Sequence, residues 1–261
     1  MRSLNIGSTG MLAQQLNVEV ISHNIANMNT TAYQRRRVEF QDLLYQNQRR
    51  VGSDSSDTGT IVPAGVQIGL GVKTAAVYRI TEQGNLTLTE NTLDLAINGE
   101  GYFQVELPSG DTAYTRSGAL QLSANGEVVT VDGFKLDPAI TIPSGAIDVT
   151  VNASGEVLVQ LDGQVAPQNV GQFQLATFSN EAGLLAIGDN LFIETPASGS
   201  ATTGTPESPG FGRMQQGFLE TSNVNVVEEI TNLITAQRAY EMNSKVIETS
   251  DQMMSTMTNI R

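Results

Sequence analysis

Residues 226–254 read VVEEITNLITAQRAYEMNSKVIETSDQMM, with Val226, Leu233, Tyr240, Ile247 and Met254 seven residues apart. A seven-residue apolar repeat keeps one seam on a helix. The helix is predicted from Asn223 to about Asn259, roughly 36 residues or about 54 Å long at the α-helical rise. Ile230 reinforces the seam. Gln237, Ser244 and Asp251 take the intervening row, where polar groups fix register at a cost in stability. Such a helix is too long for one small β domain to cover, so it needs partners.

The N-terminus repeats the spacing with Leu4, Met11, Val18 and Ile25. A helix is predicted over 3–27, with Ser3 as its cap. Gly7 and Gly10 weaken its first turns by up to ~1 kcal/mol each relative to Ala, so this end is expected to be ordered by packing. Asn and Thr side chains in Ala26-Asn27-Met28-Asn29-Thr30-Thr31 compete for backbone hydrogen bonds and end it. Val38, Phe40, Leu43 and Leu44 suit a short second helix or an extended arm.

The middle of the chain resembles neither end. Val128-Val129-Thr130-Val131 lies between Asn125-Gly126 and Asp132-Gly133, and Val157–Leu161 between Ser154-Gly155 and Asp162-Gly163. Each unit reads as a strand between tight turns where Gly accepts positive φ, and the two form a weak internal repeat. The expected fold is α+β. Long N- and C-terminal helices pair as a coiled-coil-like core domain, and a central antiparallel β domain lies between them. The expected segments are 1–45 (N-terminal helix and signature), 46–72 (extended arm or mobile linker), 73–212 (β domain with a Pro/Gly-rich return) and 213–261 (C-terminal helix).

The 261 residues carry a net charge of −13, unevenly spread. Residues 1–50 hold six Arg against three acidic residues, whereas 51–212 hold four basic and eighteen acidic residues. Nucleic acid is therefore not expected as a partner, because its affinity comes from phosphate neutralisation. Arg35, Arg36, Arg37, Arg49 and Arg50 form the basic cluster, read either as a solvated face or as docking onto the acidic middle of another copy. No run of 18 apolar residues occurs, so no membrane span is expected. The start lacks the charged-then-apolar pattern of a Sec-type signal.

Enzyme chemistry has little to build on. The chain has no Cys and a single histidine, His23, which removes thiolate, triad and zinc chemistry and leaves no metal or cofactor expected. Gly65, Gly69 and Gly71 lack phosphate-loop spacing. Asp54 and Asp57 lack the EF-hand order. Trp is absent and aromatics make up 5% of the chain, so no sugar-binding platform stands out for a glycosidase.

Ser22-His23-Asn24-Ile25-Ala26-Asn27-Met28-Asn29-Thr30-Thr31-Ala32-Tyr33 resembles the N-terminal signature of bacterial flagellar rod and hook axial proteins, except that the family places Gly where Ala32 stands. Gln216–Asn225, Ala236–Glu241, Leu93–Phe103 and Tyr114–Gly118 are similar to further family stretches. The resemblance spans nearly the whole chain, and its length and the 46–72 segment are nearest the distal rod members. It implies a non-enzymatic subunit that stacks helically with itself into a rigid hollow drive shaft enclosing the export channel and carrying torque from motor to hook. The implied partners are proximal rod proteins, the hook protein, the peptidoglycan and outer-membrane ring proteins and the flagellar type III export apparatus. The implied location is the periplasmic rod of the basal body, reached without a cleaved signal peptide. Asn24, Asn27, Asn29, Thr31 and Tyr33 join the seam residues as the expected self-assembly interface, and the 46–72 arm would bridge subunits and block the sliding that bending needs. The alternatives are a proximal rod protein, a secreted β-rich adhesin or carbohydrate-binding module, and a peptidoglycan-acting enzyme.

Overall fold

The computed structural model describes residues 2–49, 64–163 and 166–259. Helix α1 spans Arg2–Ala26 and α2 spans Val226–Asn259. Asn225 caps α2: its Oδ1 accepts from the Val227 and Glu228 N–H groups at 3.2 and 3.5 Å, and its carbonyl accepts from Glu229 at 3.0 Å. That satisfies donors which the first turn of a helix cannot satisfy itself. Ser3 lies inside α1 and does not cap it.

The helices belong to a unit made of Met1–Ala26, Arg36–Tyr78 and Asn225–Arg261. A Cβ on Gly7 would sit 2.9 Å from Ile247 Cγ1, and one on Gly10 2.9 Å from Asn243 Nδ2. Val18 and Glu19 line one cavity with Tyr240 and Glu241. As α1 advances, its neighbours on α2 run backward, so the pair is antiparallel. Gly7 and Gly10 therefore mark close approach of the two helices and leave α1 unbroken.

The expected coiled-coil-like core domain does not form. The described residues contain two α-helices, and the clusters of buried apolar side chains lie among strands. The physical reason is the second row of α2. It consists of Glu229, Ala236, Asn243 and Ser250, small or polar side chains, and not of the expected Gln237, Ser244 and Asp251, which are exposed. Small residues suit close helix contact but bury too little apolar area to form a core. The protein is mixed α+β with β dominant.

Two strand pairs also fall in this unit, Arg36–Asp42 with Val72–Arg79, counted as far as Tyr78, and Tyr45–Arg49 with Val66–Gly69. Residues 38–44 are thus extended or irregular, not helical. Every residue of Tyr45–Arg49 is exposed. Arg50, Asp54, Asp57 and the rest of 50–63 lie outside the described residues.

The second unit comprises Asn27–Arg35 and Arg79–Val224. Its largest sheet is antiparallel and centres on Tyr102–Glu106, which pairs with Thr112–Thr115, Lys135–Asp137 and Leu175–Thr177. A three-stranded sheet joins Ala146–Val151, Glu156–Leu161 and Gln168–Gln172. The core between them holds Ile97, Phe103, Val105, Ile140, Val157, Val159 and Leu175, all essentially buried. Both repeat units form as read: Gly126, Gly133, Gly155 and Gly163 take φ of 77°, 85°, 80° and 81° at the turns flanking Val128–Thr130 and Glu156–Leu161.

Candidate functional site

No metal-binding group of three or more His, Cys, Asp or Glu occurs among the described residues. The features with functional content are the segment after α1 and the faces of the two helices. Asn24 is buried, and its side chain bonds both backbone groups of Arg36. The carboxamide Nδ2 donates to the Arg36 carbonyl at 2.8 Å, and its Oδ1 accepts from the Arg36 N–H at 2.9 Å. This bidentate clasp returns the chain to the helix pair after the excursion through residues 27–35.

Within that excursion Asn27 starts a turn, accepting from the Thr30 N–H and hydroxyl, both at 3.1 Å. The Thr31 carbonyl accepts from Asn190 Nδ2 at 3.3 Å, and the Tyr33 carbonyl from the Asn223 N–H at 3.3 Å. Asn29 is exposed. Ala32 is buried at φ 56°, with its N–H donating to the Glu220 carbonyl at 2.8 Å. Its departure from the family's Gly thus falls at a left-handed position, where Gly is the unstrained residue.

Asn223 was not singled out as a site residue, yet it ties three stretches together. Its Oδ1 accepts from the Arg35 N–H at 2.7 Å, and its Nδ2 donates to the carbonyls of Ile80 and Glu82 at 3.0 and 2.8 Å. Arg116 does the same deeper in the unit. Its Nε lies 2.7 Å from Glu220 Oε2, with the two side chains 7% and 4% exposed. Its other nitrogens donate to the carbonyls of Gly101, Gly99 and Ile97. Glu220 Oε1 accepts from the Gly84 N–H at 2.9 Å. Breaking a buried pair of this kind costs about 3–5 kcal/mol, because a charge is left stranded. Gly118 completes the pattern, since a Cβ there would fall 1.5 Å from the Leu95 carbonyl oxygen. The signature stretches 93–103, 114–118 and 216–225 are therefore three sides of one polar joint.

A second buried arginine, Arg79, donates to the Glu181 carbonyl at 2.7 Å and to Gln34 Oε1 at 3.3 Å, and stacks 4.1 Å from the Phe192 ring centre. Tyr102 donates its hydroxyl proton to Glu181 Oε2 at 3.0 Å. Burial, reinforced by the Glu181 carboxylate, pushes the Tyr102 phenol up to about 12.

The expected interface residues divide. Leu4, Met11, Val18 and Ile25 on α1, and Val226, Leu233, Ile247 and Met254 on α2, are half-buried. Ile230 and Tyr240 are exposed. Beyond the seam, α2 exposes Val227 at 75%, Met242 at 70% and Met253 at 60%, while α1 exposes Leu12 at 64%. The basic cluster is not held in one arrangement. Arg35 pairs with Glu82 at 3.5 Å, and Arg37 pairs with Glu39 at 2.7 Å and with the Tyr78 hydroxyl. Arg36 is half-buried, and Arg49 is exposed with no ion pair among the described residues.

Three family patterns match: "Flagella basal body rod protein" over residues 4–34, "Flagellar hook protein FlgE/F/G D1 domain" over 96–159 and "Flagellar basal body rod FlgEFG protein C-terminal" over 215–260. The chain is 60% identical over 261 residues to "Flagellar basal-body rod protein FlgG" of Caulobacter vibrioides, covering 100% of both chains. The chain belongs to the flagellar basal-body rod protein family. The rod protein of the same description from Borreliella burgdorferi is 44% identical over 263 residues, covering 100% of this chain and 99% of the relative. "Flagellar hook-basal body complex protein FlhP" of Bacillus subtilis is 30% identical over 274 residues, covering 100% of both. Membership in this rod family makes the chain a structural subunit of the bacterial flagellum, and no described helix is long and apolar enough to cross a membrane.

Proposed function

We propose that the chain builds the distal rod by helical self-assembly, forming a stiff hollow shaft that carries torque to the hook and surrounds the export channel. The observation that carries this reading is the exposed apolar face of the terminal helices. Val227, Ile230, Ile234, Met242, Val246 and Met253 on α2 are all exposed. The polar second row places α1 on one side of α2 and leaves these residues in water. Large apolar side chains exposed in this number on one helix favour association, and head-to-tail contacts that do not close generate open helical tubes.

In this reading the neighbours along the shaft are the proximal rod proteins and the hook protein. The peptidoglycan and outer-membrane rings surround the shaft, and the type III export apparatus delivers the chain to the periplasm. Electron microscopy of basal bodies from a strain lacking the chain tests the reading. A short rod stub without outer rings or hook is expected. A complete rod and hook would overturn it.

A further inference from the structure

The helix pair leaves a gap along its length. Between Gln15, Val18 and Glu19 of α1 and Gln237, Tyr240 and Glu241 of α2 lies an open cavity of about 340 Å³. Its lining residues include Val18 and Tyr240, which bring an apolar and an aromatic side chain, and two acidic residues, Glu19 and Glu241. Gln15 Nε2 donates to Glu19 Oε1 at 3.1 Å, holding that carboxylate on its helix. An aromatic face beside two carboxylates recognises a guanidinium. The ring attracts the cation, the carboxylates pair with it, and the aliphatic stem covers the apolar wall.

The same chain presents such a group. Arg49 ends Tyr45–Arg49, the one described strand whose every residue is exposed. A two-stranded hairpin is marginally stable by itself, and this one also exposes Leu44 at 83% and Tyr45 at 55%. The strand therefore has a cation and apolar side chains to place, and the groove has two anions and an apolar wall to cover.

We propose that Arg49 of one copy inserts between Glu19 and Glu241 of a second copy of this chain, beside Tyr240, and so fixes the register between neighbouring subunits. This inference rests on the self-assembly reading and assigns it a specific contact. An exposed pair adds little affinity but selects orientation. The expected consequence is loss of correct stacking on mismatch, not loss of folding.

The native chain contains no cysteine, which permits a clean test in basal bodies purified from cells carrying the full chain. With Glu19→Cys and Arg49→Cys together, a short bis-maleimide should give a ladder of covalent multimers, while either substitution alone should not. In parallel, Glu241→Arg should lower the yield of complete hook-basal bodies by about twofold to fivefold, an effect sized to a lost surface pair. Arg49→Glu combined with Glu241→Arg should restore it. Wild-type chain present in rods, with no ladder and no rescue, would overturn the contact and leave the rod assignment standing. Wild-type chain absent from purified rods would overturn both.

Discussion

At the residue scale, two positions yield measurable expectations. Ala32 sits at φ 56°, a conformation that costs a side chain with a Cβ roughly 1–2 kcal/mol. Glycine relieves that cost but adds freedom to the unfolded chain, roughly 0.5–1 kcal/mol. Ala32→Gly should therefore stabilise by a few tenths to ~1 kcal/mol, seen as a higher midpoint in urea. A lower midpoint would contradict the strain argument. Tyr102 makes a prediction in pH. Its phenol is held near 12 in the fold against an ordinary 10, so the folded chain keeps a proton that the unfolded chain releases. That contribution is complete below pH 10 and is lost as pH rises toward 12, by roughly 2–3 kcal/mol in all. Tyr102→Phe should flatten this part of the stability profile. Equal slopes for the two proteins would refute the assignment. The sequence displayed the signature residues that surround both sites, because they cluster within a few positions. It could not display the Arg116–Glu220 pair, whose partners are 104 residues apart, nor the three stretches that Asn223 ties together, since only folding makes these neighbours.

At the element scale, the helices were legible as helices and misread as a pair. The seven-residue seam of α2 is real, but periodicity leaves open which flanking row faces inward. The row three residues on from each seam position won, because Ala236, Asn243 and Ser250 admit the close approach of Gly7 and Gly10. Strands fared better where tight turns bracket them. Gly126 and Gly133 announce Val128–Thr130 from either side, whereas Arg36–Asp42 has no such punctuation and read equally well as a helix. The small and polar second row of α2 also leaves α1 dependent on close contact with it. A helix of this length with two glycines and a thin apolar face is marginal alone in water. A chain ending at Val224 should keep the β unit's far-ultraviolet signature and lose amide-exchange protection throughout Arg2–Ala26. Persistent protection of α1 in that shortened chain would show that it is stable without its partner.

At the scale of the whole molecule, composition revealed the division of labour more clearly than the architecture. The excess of arginine in the first fifty residues and of carboxylates in the middle was visible at once. Family membership then supplied what no single segment could. The interleaving was hidden: one unit is assembled from three separated stretches, the first of them at the N-terminus and the last at the C-terminus. This connectivity sets a timetable. Ribosomes make α1 before the β unit and α2 after it, so the earlier helix waits through the synthesis of the β unit without the surface it closes upon. The final helix thus acts as a clock: the β unit has all of its residues before it arrives, and only the opening helix stays unlatched.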